Sequence, residues 1–166
     1  RAIGLMGWLS MIAGMAVDAA TFTAGPDDYA RRLRALRPGD TLELAPGEYR
    51  HGLRLHGLAG EPDQPIIVRG RSPDRRPVFV ARPGHNTVSI IDSRHVAVRA
   101  LVIDGRGVPG DGIKAEGTSR YADFITLEHL RIVGHGADQS VVGISTQCPA
   151  IGWVIRHNEI IGAGTG

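Results

Sequence analysis

The chain has 166 residues, of which 23 are glycine and 10 proline, and its 19 basic residues nearly balance 17 acidic ones for a formal net charge of +2. That length suffices for one domain of ordinary size. No basic run is interleaved with aromatics, which argues against nucleic-acid binding, and the glycine follows no collagen-like period, so it points to many turns between short elements.

The first twenty residues read RAIGLMGWLSMIAGMAVDAA, with Arg1 followed by sixteen uncharged residues from Ala2 to Val17. A positive start, an apolar run and small residues at Val17 and Ala19 spell a secretory signal peptide over residues 1–19, cut after Ala19. The alternative, a membrane anchor, is short of the roughly 20 apolar residues a span requires. The expected mature chain, residues 20–166, is secreted to a periplasm or the exterior and free of the membrane once the leader is gone. All three methionines lie in the leader, and the lack of an initiator methionine places the natural start upstream of Arg1. The single Cys148 has no partner for an internal disulfide and reads as a small apolar core residue.

Residues 27–37, DDYARRLRALR, carry the one convincing helical pattern of the mature chain. Tyr29, Leu33 and Leu36 form an apolar stripe, with Asp27 or Asp28 as N-cap. Strand-like segments follow at 41–50, 53–57, 65–70 and 77–81. From residue 95 the chain repeats itself. HVAVRALVIDGRG (95–107), FITLEHLRIVGHG (124–136) and GWVIRHNEIIGAG (152–164) align at offsets of 29 and 28 residues. Val96, Ile125 and Trp153 share a column, as do Val98, Leu127 and Ile155, and Ile103, Ile132 and Ile160. Apolar residues alternate with polar ones, a two-residue interruption follows, and a second short alternating run ends in glycine. The alternation is the strand period. A third strand per coil is seen in GIKAEG (112–117) and GISTQC (143–148), with TVSIID (87–92) as their earlier equivalent.

A fixed period of this size marks a repeat architecture. Dominance of valine and isoleucine excludes helical repeats, and the leucine-rich pattern is absent. The expected fold is all-β, a parallel β-helix of about five coils, with the 27–37 helix capping its first coil. Asn158 falls in the turn column and is expected to hydrogen-bond along the stack. The last coil shows no cap, so the chain reads as the amino-terminal part of a longer protein. Its exposed face predicts self-association.

Residues 36–70, LRPGDTLELAPGEYRHGLRLHGLAGEPDQPIIVRG, resemble the opening of secreted right-handed β-helix proteins of the pectate-lyase-like superfamily. The turns Pro38-Gly39-Asp40 and Ala45-Pro46-Gly47-Glu48-Tyr49 and the strand Pro65-Ile66-Ile67-Val68 carry the match. The nearest flavour is the group of alginate lyases and chondroitinase B. The resemblance implies the right-handed winding, an acidic polysaccharide as partner, and a working face on one outer sheet where cations, and in some members calcium, meet carboxylates.

If Ile113 and Ala115 point inward, Lys114 and Glu116 point outward. Ser145 is then the neighbour of Lys114 in the next coil and Asp92 its expected neighbour in the previous one. Lys114 is the one lysine of the chain and is the candidate catalytic residue. A lyase needs a base for the proton α to the carboxylate and a positive charge for the enolate; a lysine of depressed pKa serves the first, arginine or calcium the second. Nearby carboxylates favour an ordinary ion pair instead. Asp92, Asp111 and Glu116 are the candidate calcium ligands; Arg106, Ser145 and His135 are the candidate substrate contacts. Gly134-His135-Gly136 matches a polygalacturonase signature in letters, but the acidic motifs that should precede it are missing. Carboxylates for a glycosidase remain in Asp104, Asp111 and Asp138. The histidines have no metal spacing, and no phosphate loop is present. Two functions stand: a lyase cleaving acidic polysaccharide by β-elimination, favoured over a hydrolase, or a non-catalytic glycan-binding or surface-scaffold module.

Overall fold

The computed structural model describes residues 19–116, 121–135, 143–146 and 149–162. Residues 1–18 of the expected leader, Cys148 and Asp138 lie outside these residues. The described strands form three parallel sheets. The first stacks β1 (Thr21–Ala24), β2 (Thr41–Leu44), β5 (Ile66–Gly70), β8 (Ser93–Arg99), β11 (Ala122–Glu128) and β14 (Val154–Arg156). The second stacks β3 (Glu48–Tyr49), β6 (Val78–Val80), β9 (Val102–Asp104), β12 (Arg131–Val133) and β15 (Glu159–Ile161). The third holds β4 (Leu53–His56), β7 (Val88–Ile91), β10 (Ile113–Ala115) and β13 (Ile144–Thr146). Each coil takes one strand from each sheet in turn. β2, β3 and β4 make the first coil, three more follow, and β14 and β15 open a fifth. This is a right-handed parallel β-helix.

The pairing register reproduces the sequence columns. Val96 pairs with Ile125, Val98 with Leu127 and Leu127 with Ile155, while Ile103, Ile132 and Ile160 stack in the second sheet. Through the fourth coil these inward residues are essentially fully buried. Burial of such a side chain contributes about 1.5–3 kcal/mol, so the core is one continuous apolar column. From the third coil on, the corner between the first and second sheets is the two-residue interruption of the alternation. Ala100, His129 and His157 turn it at φ 54°, 55° and 55°. Left-handed backbone costs a non-glycine residue about 1–2 kcal/mol, and the ladders on either side hold it there.

The capping end departs from expectation in two ways. α1 spans only Tyr29–Leu33. Asp28 occupies the N-cap position, but its carboxylate accepts from Gly25 N (2.9 Å) rather than capping the helix. Ala35 N and Leu36 N then bond three residues back, to Arg32 O and Leu33 O, which tightens and ends the helix before Pro38. The second difference is β1, an additional strand that covers the edge of β2, so the helix plugs the core rather than the edge. Tyr29 and Leu33 are its buried residues. Tyr29 meets Tyr49 and Phe79 edge-on at 5.1 and 5.7 Å, and Tyr49 stacks on Phe79 at 4.7 Å. Burial pushes the Tyr49 hydroxyl up to about 12. The Pro38-Gly39-Asp40 turn works through buried Asp40, which accepts from Ala20 N (3.0 Å) and Arg37 N (2.8 Å).

Asn158 does bond along the stack, but to backbone. Its Nδ2 donates to Leu127 O and its Oδ1 accepts from Leu130 N, both at 2.9 Å.

Candidate functional site

Alternation on the third sheet sends Leu53, Leu55, Val88, Ile90, Ile113 and Ala115 into the core. Arg54, Ser89, Lys114 and Ser145 therefore face outward, and they form one row across four strands. The loops 50–52, 81–87 and 105–112 connect the second sheet to the third and rise beside it. Between this wall and the sheet lies a cleft of about 470 Å³, lined by Arg54, His56, Arg82, His85, Ser89 and Glu116 among others.

The electrostatics of this face differ from those of the other two. On the first sheet Arg69 pairs with Glu43 at 2.6 Å, and Glu128 stands between Arg99 and Arg156. Burial of Glu128 works against its ionisation, but the hydrogen bond from Arg156 and the charge of Arg99 outweigh it and hold the carboxyl below its ordinary value. On the second sheet Arg131 pairs with Glu159 at 2.5 Å. In each case the partners are neighbours in register. In the cleft the row neighbour of Arg54 is Ser89. Among the described residues no carboxylate pairs with Arg54 or Arg82. The one acid lining the cleft, Glu116, is held by its own side of the wall: Ser89 Oγ (2.5 Å) and Asn86 Nδ2 (2.8 Å) both donate to its Oε1. The cleft thus presents guanidinium and imidazole groups to an incoming anion.

The residues singled out from sequence are distributed as follows. Lys114 faces outward as expected, but its ammonium binds Asp111 at 2.8 Å, and it lies outside the cleft's lining. Ser145 is its neighbour in the next coil. The previous neighbour is Ser89, not Asp92. Asp92 falls beyond the end of β7, at φ 47°, on the bend into β8. Asp111 is buried, and Glu116 is engaged by Ser89 and Asn86. Asp92, Asp111 and Glu116 are not drawn together as a calcium site, and no group of three metal-ligating side chains exists among the described residues. Arg106 stands over the second sheet, where the Glu48 hydrogen bond raises its pKa and the ion pair measures 2.9 Å.

His135 departs furthest from expectation. It is fully buried, with Nδ1 at 3.1 Å from Gly110 O, so it cannot reach a ligand on the outer face. The turn folds inward because Gly105 and Gly112 leave room: a Cβ on them would stand 2.8 and 3.2 Å from the imidazole. Burial pushes the imidazole below its ordinary value, against the opposing pull of the Gly110 carbonyl.

Sequence reasoning passed over Arg54, His56, Arg82 and His85. The alternation in Leu53-Arg54-Leu55-His56 was the available signal for the first two. The loop residues Arg82 and His85 carry no periodic signal.

No protein-family model matches the sequence, and no curated protein does. Solved structures do match. One is a mannuronic-acid-specific family 6 polysaccharide lyase from human gut microbiota, 20% identical over 69% of this chain and 26% of that one, with a TM-score of 0.52. Another is a mutant of the family 6 alginate lyase AlyGC, 23% identical over 83% of this chain and 18% of that one, with a TM-score of 0.59. The chain shares the parallel β-helix fold with these structures. This β-helix spans about a quarter or less of those two proteins. Among its described residues no helix is long and apolar enough to cross a membrane.

Proposed function

We propose that this β-helix binds acidic, uronate-containing polysaccharide in the third-sheet cleft and belongs to a secreted lyase that cleaves it by β-elimination. The mature domain runs over residues 20–166 behind a cleaved leader, 1–19. The observation that carries the reading is the pair Arg54 and Arg82, facing the cleft without a carboxylate partner among the described residues. Guanidinium groups hold carboxylates through charge-assisted, often bidentate hydrogen bonds. Such a contact also assists the chemistry. It neutralises the uronate carboxylate, so a base removes the α proton more readily. The electron pair then forms the double bond to the β carbon, and the glycosidic oxygen leaves with a proton. Arg54 and Arg82 are the residues assigned to the carboxylate.

The test incubates the protein with alginate, pectate or chondroitin, with and without calcium, and follows the ultraviolet absorbance of the unsaturated uronate. Arg54→Ala is expected to weaken binding and slow the signal. Lys114→Ala run alongside decides whether that residue acts in the chemistry or serves only Asp111. The second reading, a non-catalytic glycan-binding module, is favoured by one observation: the outward lysine is already engaged. Binding without any ultraviolet signal or new reducing ends would establish it.

A further inference from the structure

The cleft does not end at the first coil. A second cavity of about 440 Å³ lies between α1 and β4, walled by Tyr29, Leu33, Arg34 and Leu58. Arg54 and Arg82 line both cavities, so the two form one trough. Its lining residues come in order from α1, β4, β7 and the residue following β10, so the trough runs along the axis of the β-helix, across the strands. Parallel strands are spaced about 4.8 Å apart, and a linear polymer laid in the trough meets a new coil at each such step. The floor beneath α1 is preformed. Tyr29 and Leu33 are buried, and the Tyr29 hydroxyl donates to Gly52 O at 2.6 Å.

The charge along this trough is graded. Arg34, Arg54 and Arg82 gather at the α1 end, and none pairs with a carboxylate among the described residues. Glu116 sits at the other end, two coils on. A polyanion is therefore drawn toward the capping helix.

We infer that the space under α1 is a distal subsite for a second anionic group of the same polymer, with Arg34 as the residue that reads it. This rests on the reading of the third-sheet cleft as a polyuronate groove. The ligand class is a linear polyanion with an acidic group on successive residues, and the consequence is a preference for longer chains. The five-residue α1 is then a specificity element as well as a core plug.

The experiment titrates uronate oligomers of increasing length into the protein by calorimetry and takes the ratio of long-chain to short-chain affinity. In the wild type this ratio is expected to exceed one by roughly two- to fivefold, the range of one exposed ion pair. Arg34→Gln should bring it toward one, and Arg34→Lys should restore most of it. Arg34 is exposed at the helix end, so circular dichroism of the variant is expected to match the wild type. An unchanged ratio in Arg34→Gln, or an equal loss at every length, overturns the subsite and leaves the groove standing. No binding of any uronate oligomer by the wild type overturns the groove itself.

Discussion

At the amino-terminal end of the stack the core is closed by Tyr29, Leu33 and the stacked pair Tyr49 and Phe79, all buried. In the fifth coil the same inward columns stand open: Ile155 is 49% exposed where Val98 and Leu127 are at 0%, and Ile160 is 40% exposed where Ile103 and Ile132 are at 0%. The side-chain types hardly differ between these layers. What differs is whether another described layer lies above. A coil of this kind therefore has no core of its own; it acquires one from its neighbour. Each half-exposed isoleucine leaves roughly 1 kcal/mol of burial unrealised.

This contrast is open to attack by substitution. The largest effect is expected at the closed end, where Phe79→Ala removes a fully buried ring and should cost about 3–5 kcal/mol in urea denaturation. Equal losses for Phe79→Ala and Ile155→Ala would break the comparison. Mid-stack, His135 tests how dry the interior is. Its folded pKa is held below its unfolded value by burial. The stability it protects is thus full above the ordinary value of 6.5 and lost as pH falls from there toward the folded value. Melting temperature should drop across that window in the wild type, and His135→Leu should flatten the drop. A parallel drop in both proteins would mean that His135 is already solvated. Tyr29→Phe removes one buried hydrogen bond to Gly52 O and should cost about 0.5–1.5 kcal/mol. The smallest effect on stability is expected for Ile160→Lys at the open end, within about 0.5 kcal/mol.

The columns were legible because the later coils repeat at nearly one length, so Val98, Leu127 and Ile155 align without a structure. β1 escaped notice because four residues, Thr21–Ala24, have no counterpart to align with. The helix was overextended because Ala35 N and Leu36 N bond three residues back and end it after Leu33, while Leu36 still fits the apolar stripe. The site was harder still. The register that puts Ser89 beside Lys114 depends on loops of unequal length, which displaced Asp92 onto a bend. Arg54 and Arg82 stand out because no carboxylate among the described residues pairs with them, and a missing ion pair leaves no mark in a sequence. The Gly134-His135 pair read as a surface turn, yet the space left by Gly105 and Gly112 draws the ring inside.

The corner at Ala100, His129 and His157 precedes strands of the second sheet, and the loops 50–52, 81–87 and 105–112 follow strands of that sheet. The first is a two-residue turn from the third coil on, although in the second coil the same corner runs over residues 71–77 and the later columns stay in phase. The second is an open cuff whose length already grows from coil to coil while the strands it joins keep their register. A scaffold divided in this way can be refitted for a new polymer by lengthening or trimming one cuff at a time, with no rewriting of the core.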